Sequence, residues 1–408
     1  MPRFLSPTGS PIKSREMIGW ISALLRGVDH SETIKQLIAR DLNLAYGALY
    51  ITGRAAMASL LGCLMRMRGE DDQRDEIILP AYTCYSVASS AINAGYKIRL
   101  CDIDPKTLSY DMASLNNMDT DRVLAMVSAN LYGLPNDLPV LEQFAKANNI
   151  HLIDDAAQSL FARVGGRFVG TFGYAGVLSF DKGKNITSLQ GGMVITGNEE
   201  LQTQLLMAQS ELSDLQATGQ IKEFIKVFIY YLLLHPVMYQ IPANISFSGL
   251  GETRYEDTVA VLKYPPMLSS LAKDQLLRAD RITQSRVSTG RYYDQSIEQS
   301  VNLSKIEAVP GSEPVYLRYP ILIRDVALRS HLLKEQRAMG ISASYPKSLN
   351  QLSEIRQHLV GETSCPVAEQ VAAQIVTLPT HAYVREQDQQ SVVDIVNKYC
   401  NNQPLGKT

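Results

Sequence analysis

His151-Leu152-Ile153-Asp154-Asp155-Ala156-Ala157-Gln158 is the stretch on which the reading of this chain turns. It predicts a short buried strand that ends in two acids followed by small residues. Working outward, Ile77-Ile78-Leu79-Pro80, Lys97 to Asp102, Val123 to Val127 and Gly192 to Thr196 read as further strands. Between them Ala55 to Met67, Ser86 to Ala94 and Val140 to Asn148 read as helices. Strands alternating with helices predict an α/β fold whose mostly parallel sheet is covered on both faces. In such sheets ligands sit beyond the carboxyl ends of the strands. Asp155, Pro80-Ala81-Tyr82-Thr83 and the turn Thr52-Gly53-Arg54 all fall there. Strand alternation sends Asp154 and Asp155 to opposite faces, so only one of them can serve a ligand. The plain alternative is a strand-end Asp that caps the following turn.

Twenty-nine residues after Asp155, Ser179-Phe180-Asp181-Lys182-Gly183-Lys184-Asn185 puts Lys184 in a Gly-flanked turn. A strand-end carboxylate with a lysine so placed suits pyridoxal phosphate. The lysine joins the cofactor's aldehyde, and the carboxylate keeps the pyridine nitrogen protonated so that the ring accepts electrons. Ala156 and Ala157 let a flat ring approach the backbone, and Gln158 is a hydrogen-bond partner for the ring hydroxyl. Gly53 opens a small-residue helix, whose free N–H groups suit a phosphate. Taken singly, Lys184 also reads as a surface loop lysine and Gly53 as an ordinary helix start.

Bulk properties exclude other classes. A net charge of −2 with interspersed signs offers no polybasic tract for nucleic acid. Five cysteines without a CxxC pair predict reduced thiols in the cytosol, and the start Met1-Pro2-Arg3-Phe4-Leu5 lacks a signal-peptide core. Six histidines, none in HxH or HExxH spacing, predict no metal site. The expected division is an N-terminal arm or helix over 1–45, a large domain over 46–260 with an apolar insert near 224–245, and an interdomain helix with a small domain over 261–408. Within the last, 268–297 and 387–399 read as helices, 315–323 as a strand and 326–339 as a helix.

Asp154 to Ser159, Gly166-Arg167-Phe168-Val169-Gly170, Ser179-Phe180 with Gly183-Lys184-Asn185, and Gly191 to Thr196 closely resemble the DegT/DnrJ/EryC1/StrS family. Its members are fold-type I aminotransferases that use pyridoxal phosphate, best known for aminating nucleotide-linked keto sugars. Thr52 to Ala56, Leu79 to Thr83, Asn130 to Pro135, Tyr345-Pro346 and Leu378-Pro379 fit the same pattern in order. The resemblance implies a large domain with a seven-stranded-type sheet, a small α+β C-terminal domain and a homodimer. It implies Lys184 as the imine-forming, proton-moving lysine, with Lys182 as its rival. Asp155 would pair with the pyridine nitrogen, and Gln158 with the ring oxygen. Gly53, Arg54 and Ser179 would hold the phosphate. The implied reaction passes an amino group from a small-molecule donor, expected to be glutamate, to a keto or aldehyde carbonyl, in polysaccharide or secondary-metabolite synthesis.

The chain also departs from the pattern. Cys84 stands where the family stacks an aromatic ring on the cofactor, and Tyr85 is expected to point the other way. Lys263 stands where an Asn usually reaches the neighbouring subunit's phosphate, and Arg54 replaces the usual Thr. The apolar stretch Phe224 to Tyr239 is far below the roughly 20 residues of a membrane span. It reads first as a core helix at a dimer interface, and second as a peripheral membrane contact or the wall of a site for a lipid-linked substrate. A non-catalytic regulator built on the same fold is the remaining alternative. No DNA-binding helix pair favours it.

Overall fold

The computed structural model describes residues 3–44, 46–241 and 255–401. Its centre is a sheet of seven strands: β1 (Tyr46–Tyr50), β2 (Glu76–Pro80), β3 (Lys97–Cys101), β4 (Val123–Ala129), β5 (His151–Asp155), and further on Ala175–Ser179 and Gly192–Thr196. The hairpin β6 (Arg163–Val164) and β7 (Arg167–Phe168) intervenes, so the last two are β8 and β9. The order is β1-β9-β8-β5-β4-β2-β3. β3, β2, β4, β5 and β8 pair in parallel, and β9 is antiparallel to both of its neighbours. Every residue of β2, β4, β8 and β9 is buried, because helices cover both faces of the sheet. The expected α/β class therefore holds.

β1 and β8 are strands that the apolar runs did not disclose. β8, Ala175-Gly176-Val177-Leu178-Ser179, is rich in small residues for a packing reason. A Cβ on Gly176 would lie 1.9 Å from the carbonyl oxygen of Gly170, so the loop before β8 presses directly on its backbone.

A second, antiparallel sheet joins β10 (Leu303–Lys305), β12 (Arg318–Ile323) and β13 (Ile375–Pro379), and β11 (Ser312–Glu313) pairs with β6. Tyr293, Tyr319, Ile321, Leu378 and Val393 form the core under the second sheet. The strand expected over 315–323 begins only at Arg318. Tyr316 has φ +47° and Val315 N–H bonds to Gly133 O, so 315–317 runs against the turn after β4 instead of pairing in the sheet.

The helix expected over 268–297 is two helices, Ser269–Leu276 and Ala279–Ser296. At the break Arg278 turns its guanidinium to Glu16 and to the Pro11 carbonyl. The N-terminal helices Ser14–Leu25 and Ser31–Leu42 share one core with Leu268, Leu271 and Ile282.

The apolar stretch expected over 224–239 starts earlier and ends sooner, as the helix Ala217–Leu233. It is not a core helix of this chain. Only Glu223 and Val227 are buried, and Ile225, Ile229 and Leu232 are half exposed. Among the described residues no helix is long and apolar enough to cross a membrane. Pro242, Gly249 and Gly251, read from sequence as a loop, lie outside the described residues.

Candidate active site

The carboxyl ends of β1, β5 and β8 open into one cavity of about 750 Å³. Gly53, Arg54, Cys84, Asp155, Gln158, Ser179 and Lys184 all line it, so residues read from four separate segments meet at one place.

The two acids at the end of β5 part as the pleat requires. Asp154 is fully buried on the far side, where its carboxylate accepts N–H bonds from Gly170 (2.5 Å), Phe172 (3.2 Å) and Asn130 Nδ2 (2.8 Å). Burial nevertheless pushes its pKa up to about 7. Asp155 faces the cavity and accepts one N–H bond, from Ala157 at 3.0 Å. Burial raises its pKa as well, opposed by that bond and by the nearby charge of Lys184. This half-buried carboxylate, with one backbone donor, has acceptor capacity left for a ligand in the cavity.

Gln158 is fixed at both ends. Its Oε1 accepts the Tyr132 N–H and its Nε2 bonds to Tyr345 Oη, both at 3.0 Å. The amide orientation follows from the Tyr132 contact, and the second N–H of Nε2 stays free to face a ligand. Tyr132 and Tyr345 also line the cavity. Neither stood among the site residues expected from sequence, because the contact with Tyr345 joins positions 187 residues apart.

The lysine turn is clamped from the N-terminus. Thr8 Oγ1 donates to Gly183 O (2.8 Å), and Ser10 Oγ donates to Lys184 O (2.6 Å) and Asn185 O (2.9 Å). Gly183 sits at φ +77°, and a Cβ there would fall 2.5 Å from Thr8 Cγ2, which is why the turn needs glycine. The fully buried Arg286 reaches Gly9 O (2.7 Å) and Ser10 Oγ (3.1 Å) and so holds the clamp in place. Lys184 is half-buried within electrostatic reach of Asp155, whereas Lys182 is exposed.

The helix Gly53–Met67 points its N-terminus into the cavity. Thr52 caps it by accepting the Ala55 N–H (3.0 Å), which leaves the Gly53 and Arg54 N–H groups for a ligand. A Cβ on Gly53 would lie 2.9 Å from Ser179 Cβ, so glycine permits this close approach. The Arg54 guanidinium pairs with Glu256, which directs its charge to the cavity wall. Cys84 lines the cavity with Sγ 3.0 Å from Ser86 Oγ. Tyr85 turns away as expected and exchanges hydrogen bonds with the backbone of Lys347. Lys263 does not line this chain's own cavity; its backbone pairs with Tyr50.

The family model for DegT/DnrJ/EryC1/StrS aminotransferases matches residues 51–397. The chain belongs to this family. It is therefore a pyridoxal-phosphate-dependent aminotransferase. It is 27% identical over 330 residues to a pleiotropic regulatory protein of Geobacillus stearothermophilus, covering 80% of this chain and 78% of that one. It is 24% identical to a UDP-N-acetyl-3-dehydro-α-D-glucosamine 3-aminotransferase of Acidithiobacillus ferrooxidans, covering 85% and 86%. Its fold matches Helicobacter pylori PseC, an aminotransferase involved in the biosynthesis of pseudoaminic acid, with TM-score 0.78 at 18% identity and 98% and 100% coverage.

The residues present fit the family's cofactor. Asp155 accepts a single N–H bond and faces the cavity, where it could accept another from a protonated pyridine nitrogen, and the glycine floor at Gly53 leaves room at a helix N-terminus for a phosphate. Sequence reasoning missed Gln190, Glu223, Lys226 and Arg318, which line the cavity's other side. Glu223 and Lys226 lie in the apolar helix, where the hydrophobic signal drew the eye from the two charges.

Proposed function

We propose that the chain transfers an amino group from glutamate to the carbonyl carbon of a polyhydroxylated, sugar-like substrate. The observation that carries this reading is the meeting of Lys184, Asp155 and Gln158 with the start of the Gly53 helix in one cavity. Bound pyridoxal phosphate supplies an electron sink and carries the amino group from one substrate to the other. The N–H groups of Gly53 and Arg54 and the Ser179 hydroxyl hold its phosphate. Asp155 accepts the pyridine N–H and keeps that nitrogen protonated, an interaction strengthened by burial. Gln158 donates its free N–H to the ring oxygen. Lys184 Nζ takes the proton from the donor carbon that bears the amino group and returns one to the former carbonyl carbon of the acceptor. The clamp from Thr8 and Ser10 fixes the backbone from which Nζ swings.

The same reading includes a second copy of the chain. Helices Ser14–Leu25 and Ala217–Leu233 meet through Trp20 and Phe224, whose ring centroids are 5.3 Å apart. The first leaves Ile18, Ile21 and Leu25 exposed and the second Ile221, Ile225 and Ile229, an apolar surface that a partner subunit would cover. The patch borders the cavity through Glu223 and Lys226. The reaction belongs in the cytosol, where the free cysteines stay reduced.

A two-stage absorbance experiment tests the substrate. Glutamate should bleach the near-visible band of the loaded enzyme, and polyhydroxylated ketones should restore it. Restoration by simple 2-oxo acids alone would refute the sugar-like acceptor.

A further inference from the structure

Glu223 is the most buried carboxylate that lines the cavity, with 4% of its surface exposed. Its Oε1 accepts Gln190 Nε2 at 2.8 Å and Lys226 Nζ at 2.6 Å. Its other oxygen, Oε2, is buried and has no hydrogen-bond partner among the described residues, and the same holds for Gln190 Oε1. Gln190 itself is fixed by the turn, where Ser188 Oγ donates to its carbonyl at 2.6 Å. Two adjacent side chains that line the cavity holding Lys184 thus each leave one buried acceptor unpaired.

Buried polar atoms are nearly always paired in folded proteins, so an unpaired set lining a cavity marks the place of a ligand. Both open atoms are acceptors, so the ligand must donate. The salt bridge with Lys226 offsets the carboxylate charge, and Gln190 is neutral, so the cluster has no net charge with which to attract an ammonium group. Neutral O–H donors fit it better than a cation. Two acceptors on hydrogen-bonded neighbours suit two hydroxyls of one ring.

We infer that Glu223 and Gln190 are specificity-determining residues that take two hydroxyl groups of the carbonyl substrate. This rests on the polyhydroxylated acceptor of the proposed function. It adds a division of labour: Lys184, Asp155 and Gln158 serve both half-reactions, whereas Glu223 and Gln190 serve only the acceptor half.

The test uses the loaded full-length enzyme and its Glu223→Gln and Gln190→Met variants. The probes are glutamate, scyllo-inosose (a cyclohexanone with five hydroxyls), nucleotide-linked 3-keto and 4-keto hexoses, and cyclohexanone as the ring without hydroxyls. Each variant should keep the rate of the glutamate half-reaction within about threefold. For the best hydroxylated ketone, kcat/KM should fall roughly 10- to 100-fold, the usual loss when a substrate hydroxyl faces a mismatched polar group. The rate with cyclohexanone should barely move. Glu223→Gln removes the partner of Lys226 and Gln190→Met does not, so a loss common to both cannot come from a broken salt bridge. Equal losses with glutamate and ketone, or no loss with any ketone, would overturn the inference while the proposed function stands. If no hydroxylated ketone reacts with the unaltered enzyme, the proposed function fails first and the inference with it.

Discussion

Replacing Asp154 by Asn gives a sharp measure of how the end of β5 is built. The Asp154 carboxyl titrates at about 7 in the folded protein against an ordinary 3.8, because burial disfavours its charge more than three N–H donors favour it. A folded-state pKa above the unfolded one means that the native protein binds the extra proton. Its contribution to stability is complete below pH 3.8 and is lost as pH rises through 7. At about 1.4 kcal/mol per pH unit the whole effect is about 4 kcal/mol, of which about 3 kcal/mol lies between pH 4.5 and 8. Asn cannot titrate. Its oxygen can accept the Gly170 and Phe172 N–H groups, which leaves its amide nitrogen against Asn130 Nδ2. That mismatch costs about 1 kcal/mol at every pH. Urea unfolding of both proteins, saturated with pyridoxal phosphate and measured from pH 4.5 to 8, should therefore show the variant weaker at the acid end. At pH 8 it should have gained about 3 kcal/mol relative to the parent. A relative gain below about 1 kcal/mol would refute the assignment of a protonated, buried Asp154. The glutamate half-reaction supplies the contrast. Asp154→Asn should leave it within about threefold, whereas Asp155→Asn should lower it by about 100-fold or more, as expected for loss of a charge at a reacting group.

Three further substitutions bear on the site and its surroundings. Lys184→Ala should lose the near-visible absorbance band and both half-reactions, while Lys182→Ala keeps them; the reverse result would give the chemistry to Lys182. A Cβ on Gly192 would lie 2.4 Å from Thr52 O and 2.5 Å from Gly53 Cα. Gly192→Ala should thus displace the helix start, destabilise the fold by about 1–3 kcal/mol and weaken pyridoxal phosphate binding by about tenfold, read by thermal melts and fluorescence titration. An unchanged affinity would argue that this helix does not hold the phosphate. Ile225→Glu with Ile229→Glu puts two charges on the exposed apolar face and should shift sedimentation from dimer to monomer. A monomeric parent that binds liposomes, with binding lost in the double variant, would assign the face to a membrane.

What the sequence disclosed depended on how far apart the interacting residues lie. β2 and β4 carry the apolar runs Ile77-Ile78-Leu79 and Val123 to Val127, and their burial on both faces leaves such a signal in consecutive residues. The parting of Asp154 and Asp155 to opposite faces was likewise legible, because it needs only the two-residue period of a strand, whereas the resemblance supplied the choice of Asp155. β8 escaped notice because its small residues answer to the backbone of Gly170, a constraint that acts through space. The start of β12 was misjudged for the same reason, since Gly133 diverts residues 315–317. Tyr345 reaches Gln158 across 187 positions, and no local pattern encodes that contact.

Two of the departures read from the sequence, Arg54 and Cys84, line the cavity, whereas Lys263 does not. Lys184, Asp155, Gln158, Gly53 and Ser179, the residues the resemblance would give to the cofactor, line one cavity. Each is held by local constraints: a glycine turn, a strand end, a helix start. Arg54 is drawn to Glu256, Cys84 Sγ lies beside Ser86 Oγ, and Glu223 and Lys226 come from the largely exposed helix Ala217–Leu233. Chemistry on a cofactor demands one geometry whatever the substrate, so substitutions that disturb Lys184 or Asp155 remove the reaction altogether. Substitutions on the surrounding walls change which carbonyl compound fits and leave that geometry intact. On the proposed function, changes in these walls would select the acceptor and leave the transfer chemistry in place. Glu223, whose neighbours pair only one of its two oxygens, is where that acceptor should be sought.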